Sequence, residues 1–282
     1  MNDIVLPSPA EIQSSIVNLG IMCLVLFLLP MLYVLVWKKR CGRAVSLKPM
    51  VIGAVGFLVT VRVLELGVHL VCIIQDNPVS RFINGHTWAY VLYGASMAGI
   101  FEECGRYVIL RFLMKRNKSR ENYVMYGIGH GGIEVWAVVL MSMLSFLALA
   151  VTVSFQGMEG AMSMMGIPAD APEATLNSAQ SMVAAAVGFT PMTAALSVFE
   201  RVCAMFAHIG FTVIVAYGVE TRQKRYLLGA ILAHALLDVF PALYQRGAVS
   251  MAATEIWAFA CAAGVMAASV YLYRKFPQRA AC

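Results

Sequence analysis

Residues 87–114 read TWAYVLYGASMAGIFEECGRYVILRFLM. The stretch is long enough to cross a bilayer core, which takes about 20 helical residues at about 1.5 Å each. Its apolar run is interrupted by Glu102, Glu103 and Arg106. On either side lie further apolar runs of comparable length, at about 16–37, 50–74, 123–155, 188–219, 227–245 and 251–273. Across all 282 residues the chain is 60% hydrophobic and 13% charged, whereas soluble domains average about 45–50% and about 25%. So few charges cannot cover a water-facing surface. Disordered, collagen-like, disulfide-stapled secreted and soluble nucleic-acid-binding classes are thereby excluded. The expected fold is all-α and integral to the membrane: a single domain, 1–282, built as a bundle of about seven transmembrane helices.

Orientation follows from the basic residues between the spans. Lys38, Lys39, Arg40, Arg43, Lys48, then Lys115, Arg116, Lys118, Arg120, then Arg222, Lys224, Arg225, and finally Arg274, Lys275, Arg279 fall on one side; the other holds Arg81 and Arg246. The expectation is an outside N-terminus and a cytoplasmic C-terminus in a multi-pass plasma-membrane protein. The net charge of +6 is then a topology signal, with the lipid bilayer as environment and no nucleic acid as partner. The first residues, MNDIVLPSPAEIQ, have no basic region before the apolar run, so no cleaved signal peptide is expected. Seven scattered cysteines form no C-x-x-C pair, and the terminal Cys282 makes no prenylation box. The long connection at about 156–187, rich in Met, Ala, Ser and Pro, is expected to be an external mobile loop rather than a helical lid.

Ionisable side chains within spans cost about 2.5–3.5 kcal/mol each on insertion scales and need a reason. Arg106 stands i,i+4 from Glu102 and i,i+3 from Glu103, so it can pair with either. The two carboxylates point about 100° apart, so one can hold Arg106 while the other faces a cavity. In the next span Tyr126, His130 and Glu134 share one face, while Gly127 and Gly131 form a small-xxx-small ridge for a close helix neighbour. Glu134, at i+4, can hold the second nitrogen of His130 and fix its tautomer. The fifth span carries Glu200-Arg201 and His208, and the sixth pairs His234 with Asp238 at i,i+4. At about 1.5 Å per residue, His130 and His234 lie about 12 Å from their cytoplasmic ends, and Glu102, Glu103 and His208 about 16–18 Å. Four helices therefore carry acids and imidazoles to one layer, which implies a polar intramembrane cavity. In the second span Arg62, Glu65 and His69 read as supporting structure, with Arg62 lining the cavity or neutralising a carboxylate. Glu255 reads as interfacial.

Such a layer suits water activation, with a Glu as general base and His as partner or metal ligand. Three histidines from three helices, His130, His208 and His234, can supply a catalytic Zn2+ site with an open position, and equally a metal-free hydrolase. A transporter or proton relay is the main alternative.

The order Glu102-Glu103-x-x-Arg106, Tyr126-x-x-x-His130, His208, His234-x-x-x-Asp238 resembles the clan of type II CAAX proteases and bacteriocin-processing enzymes. FEECGRYVIL, GIGHGGIEVW, FERVCAMFAHIG and HALLD look closest to its YhfC-type intramembrane metalloprotease branch, over about residues 50–240. The resemblance implies a peptidase-like helical core at about 50–245 and an intramembrane endopeptidase acting on a membrane-bound peptide or protein near the cytoplasmic face. Glu102 or Glu103 with His130 would activate water, His234 and Asp238 would serve the oxyanion side, and His208 would complete the site; Arg106 and Glu134 belong to the same catalytic set. Two departures bear on these roles. Arg106 is one residue nearer the Glu pair than in E-E-x-x-x-R, and Asp238 stands where CAAX-type members carry Asn, so it orients His234 better than it donates to an oxyanion. The clan also resembles a γ-secretase subunit that assembles without cleaving, which keeps a non-catalytic scaffold as an alternative.

Overall fold

The computed structural model describes residues 6–277, and every described element is helical. Cys282 and Arg279 lie outside the described residues; the six described cysteines are free thiols. Nine helices are described: α1 Pro9–Cys41, α2 Lys48–Ile74, α3 Pro78–Gly85, α4 Thr87–Phe112, α5 Arg120–Met164, α6 Glu173–Val187, α7 Pro191–Thr221, α8 Arg225–Gln245 and α9 Met251–Arg274. Among them α1, α2, α5, α7, α8 and α9 are long and apolar enough to cross a membrane. α4 has the length, 26 residues, but its embedded charges set it apart from those six. The protein is thus a multi-pass helical membrane protein.

The helices pack as two units: the chain up to Leu29 with Val135–Phe199, and Pro30–Glu134 with Glu200 onward. In the first unit the Ser15 hydroxyl donates to the Val187 carbonyl at 2.6 Å, Asn18 Nδ2 donates to the Phe189 carbonyl at 3.1 Å, and Trp136 stacks on Phe27. The stretch expected as a mobile loop instead carries α6. Its sequence, EATLNSAQSMVAAAV, is rich in alanine, the strongest helix former. Pro172 precedes it and Glu173 stands in its first turn, where a negative charge complements the helix dipole. Ala179, Val183, Ala186 and Val187 are buried, which supplies the packing that an isolated helix of this length lacks.

The second unit holds all the charged side chains singled out above. Glycines bring its helices together. A Cβ on Gly127 of α5 would come within 2.8 Å of the Ile209 Cα and 3.0 Å of the Thr212 Oγ1 on α7, and one on Gly99 of α4 within 2.7 Å of the Ile231 carbonyl on α8. The ridge anticipated at Gly127 and Gly131 therefore does admit a close neighbour, and that neighbour is α7. Gly127→Ala is expected to cost about 1–3 kcal/mol of stability by overpacking backbone against backbone. Gly131→Ala should cost less, because its nearest neighbour is the flexible Met205 side chain. Thermal unfolding of both variants in detergent checks the order.

α2 is not a regular α-helix throughout. Wide π turns occupy Thr60–Glu65 and Leu70–Ile74, a device that recurs near functional sites. Glu65 turns inward and is buried, while His69 accepts or donates at 2.8 Å to the Tyr93 hydroxyl and lies 3.3 Å from Glu65. This stripe ties α2 to α4, as supporting structure should. Arg62 departs from its expected place: it is exposed and has no partner among the described residues, so it neither lines the cavity nor neutralises a carboxylate. Glu255 stands in the second turn of α9 and is buried on the face that carries Ala258 and Ala262.

Candidate active site

Glu102, Glu103 and Arg106 project from α4 into the middle of the second unit, where all three are buried. Glu103 is 0% exposed and engaged through one oxygen: its Oε1 accepts from Arg106 Nη1 and lies 2.7 Å from Nδ1 of His234 on α8, while its Oε2 has no hydrogen-bond partner among the described residues. Glu102 keeps 7% exposure and has a different set of neighbours. Its Oε2 is 2.9 Å from His130 Nε2 on α5, 3.6 Å from His208 Nδ1 on α7 and 3.7 Å from Arg106 Nη2; its Oε1 is 4.0 Å from His234 Nε2. The 100° divergence of adjacent helical residues thus separates one carboxylate that anchors an arginine from one that meets the histidines.

Donor chemistry fixes the tautomer of His208. Arg106 has no acceptor, so across the 3.2 Å contact Arg106 Nη2 donates and His208 Nδ1 accepts. The proton of neutral His208 then sits on Nε2, which faces Glu134. Glu134 in turn accepts from Arg201 Nη1 at 3.1 Å, and Arg201 also pairs with its neighbour Glu200. This corrects the expectation that Glu134 holds His130. Arg201 and His208 are seven residues apart, two turns on one face of α7, and together they offer the carboxylate two partners. His130 is held by Glu102 instead, and its buried Nδ1 has no hydrogen-bond partner among the described residues.

On the far side His234 lies flat against Phe211, ring centroids 4.8 Å apart and planes within 5°. Its Nε2 is 3.5 Å from Asp238 Oδ2. With acceptors beside both nitrogens, this imidazole can donate in two directions. A cavity of about 170 Å³ opens against these groups, bordered by Glu102, Glu134, Glu200, Arg201, His208, His234, Asp238 and Pro241. One water needs about 10–15 Å³ by the same measure, so there is room for several waters or an extended backbone. Glu103 and Arg106 do not border it. Neither the part played by Arg201 nor the Phe211 stacking was anticipated. Arg201 was visible as a charge within a span; Phe211 carried no signal in a chain where aromatic residues are common.

A metal site can be tested against the donors present. Among the described residues, Glu102, His130 and His208 each offer a ligand atom, all within 4.8 Å of one another and all buried. One carboxylate and two imidazoles form a known donor set for catalytic zinc, and the buried Nδ1 of His130 is left without a hydrogen-bond partner among the described residues. The donors fit. His234 stands outside this group, its Nδ1 committed to Glu103.

Fold and site together define a polytopic membrane protein with a buried centre of carboxylates and histidines beside a cavity. More particularly, the chain belongs to the YhfC intramembrane metalloprotease family, whose profile matches residues 25–258. It is 36% identical over 242 residues, 86% of this chain and 89% of the relative, to the uncharacterized membrane protein YhfC of Bacillus subtilis (strain 168). No solved structure matches it significantly.

Proposed function

We propose that this protein is an intramembrane endopeptidase that hydrolyses a peptide bond of a membrane-associated substrate near the cytoplasmic side. The observation that carries the reading is the position of Glu102: a buried carboxylate on the cavity wall, 2.9 Å from His130 and not locked to an arginine as Glu103 is. The family description points the same way.

In this reading Glu102 is the base. A water attacks the carbonyl carbon of the scissile bond, and its proton passes to Glu102 Oε1. His130, bonded to Oε2, holds the carboxylate in place. The carbonyl oxygen gains the electron pair and is met by His234 Nε2–H, which Asp238 orients from the same helix. As the C–N bond breaks, the proton on Glu102 goes to the departing amine. Glu103 and Arg106 stay unchanged and fix the two helices that carry the reacting groups. Glu134 and Arg201 hold the tautomer and direction of His208.

Glu102 through Oε2, His130 and His208 would hold a zinc ion in exchange for the His130–Glu102 and Arg106–His208 hydrogen bonds, and it would supply Lewis acidity toward a carbonyl or water oxygen. Elemental analysis of purified protein is expected to find about one zinc per chain, falling to background in His130→Ala/His208→Ala. Undiminished zinc in that double variant would exclude these residues as the ligands.

Proteoliposomes carrying the protein and a pool of membrane-anchored reporter peptides test the activity. Mass spectrometry should find new termini within or next to the membrane segments with wild-type protein and none with Glu102→Gln. Termini that persist at the wild-type level in folded Glu102→Gln would reject the reading.

A further inference from the structure

Arg62 is unlike the two inward-facing arginines of the second unit, Arg106 and Arg201. Arg106 and Arg201 each meet at least one carboxylate. Arg62 is exposed, on the π turn Thr60–Glu65, between Val59 at 48%, Val63 at 63% and Leu66 at 37% exposure. Those neighbours make its surroundings a lipid-facing surface. It stands 14 positions after Lys48 and 12 before Ile74 on a 27-residue helix. At about 1.5 Å per residue it is about 21 Å and 18 Å from the two ends, too far inward for the guanidinium to reach either headgroup layer with ease. An arginine at mid-depth facing lipid is costly on every scale. Outside the membrane-facing surface its own chain offers no remedy: Glu65, one turn on, points inward and is engaged by His69.

We propose that the face of α2 around Arg62 docks a membrane-spanning helix of another protein that carries a carboxylate near the bilayer midplane. Charge complementarity selects the occupant. A second copy of this chain does not supply it, because within the described residues of this unit the only exposed carboxylate is Asp76, which lies beyond the end of α2 and pairs with Arg81. The other exposed acids, Glu11, Glu159, Asp170 and Glu173, stand in a first turn, beyond Gly157, whose φ of 65° interrupts α5, or in a connection. A partner carboxylate would meet Arg62 in a low-dielectric setting, where a bidentate guanidinium pair is both strong and geometrically specific. This face works independently of the hydrolytic centre, since Arg62 does not border the cavity.

The test uses full-length protein in phosphatidylcholine vesicles with fluorescent single-span Leu/Ala peptides bearing Glu, Gln or Lys at the centre, read by energy transfer to labelled protein. The Glu peptide should associate roughly tenfold more tightly than the Gln peptide, the size expected of an interhelical polar pair. Arg62→Leu should abolish that preference, Arg62→Lys should keep part of it, and Arg62→Glu should turn it toward the Lys peptide. Equal association of Glu and Gln peptides with wild-type protein would overturn the proposal, as would a Glu preference that survives Arg62→Leu. Loss of the wild-type preference when phosphatidylglycerol is added would also overturn it, by showing that a lipid phosphate serves Arg62.

Discussion

Glu102→Gln is expected to lower the cleavage rate by about 10²–10⁴-fold, the range that a positioned general base contributes, while leaving a folded protein. Glutamine fills the same volume and can still accept from His130 Nε2. It cannot take a proton from water. Arg106 remains compensated through Glu103, so no buried charge is stranded by the exchange. The measurement is product formation in proteoliposomes beside an unfolding curve in detergent. Full turnover in a variant with a wild-type melting profile would remove Glu102 from the chemistry and leave the peptidase reading without its base.

Glu103→Ala should fail in the opposite manner, through stability. Glu103 is the acceptor shared by Arg106 and His234, and both it and Arg106 are completely buried. Removing it leaves the buried guanidinium with, among carboxylates, only the longer 3.7 Å contact to Glu102, and breaking a buried pair from one side costs about 3–5 kcal/mol. The double variant Glu103→Leu/Arg106→Leu should recover much of that loss, since apolar replacement of a whole buried pair is often neutral or better. Recovery of stability without recovery of cleavage would separate the anchor from the reaction. A Glu103→Ala protein as stable as wild type, with no gain in the double variant, would show that this pair does not hold α4 in place.

The contrast between neighbours Glu102 and Glu103 also shows what the sequence makes legible. Helix geometry requires adjacent carboxylates to diverge, and the spacing to Arg106 allows either to pair. Which one does so depends on where α5, α7 and α8 place His130, His208 and His234, and that is a matter of helix rotation. The helices are apolar nearly all the way round, so the amphipathic stripe that would normally reveal the inward face is missing. The same gap explains Arg62, whose depth was readable while its direction was not, and Glu134, which meets His208 and Arg201 in place of His130. Span positions were easier. Basic clusters bracket the apolar runs, so the expected 87–114 and 227–245 lie close to Thr87–Phe112 and Arg225–Gln245. α6 escaped because short, small side chains suit a loop and a packed helix alike, and only its neighbours decide.

The charges on α4 bear on how the molecule is made. Ribosomes deliver this helix early, with Glu102, Glu103 and Arg106 already in it, and it is not among the six segments long and apolar enough to cross a membrane. Its chief counterpart, His234, is translated more than a hundred residues afterwards. During synthesis the nascent segment therefore has to wait, shielded by its own Glu103–Arg106 pair and by whatever chaperone or translocon surface borders it, until α8 emerges. A chain stalled before residue 225 would carry Glu102, Glu103, His130 and His208 but neither His234 nor Asp238, leaving Glu103 without its partner on α8.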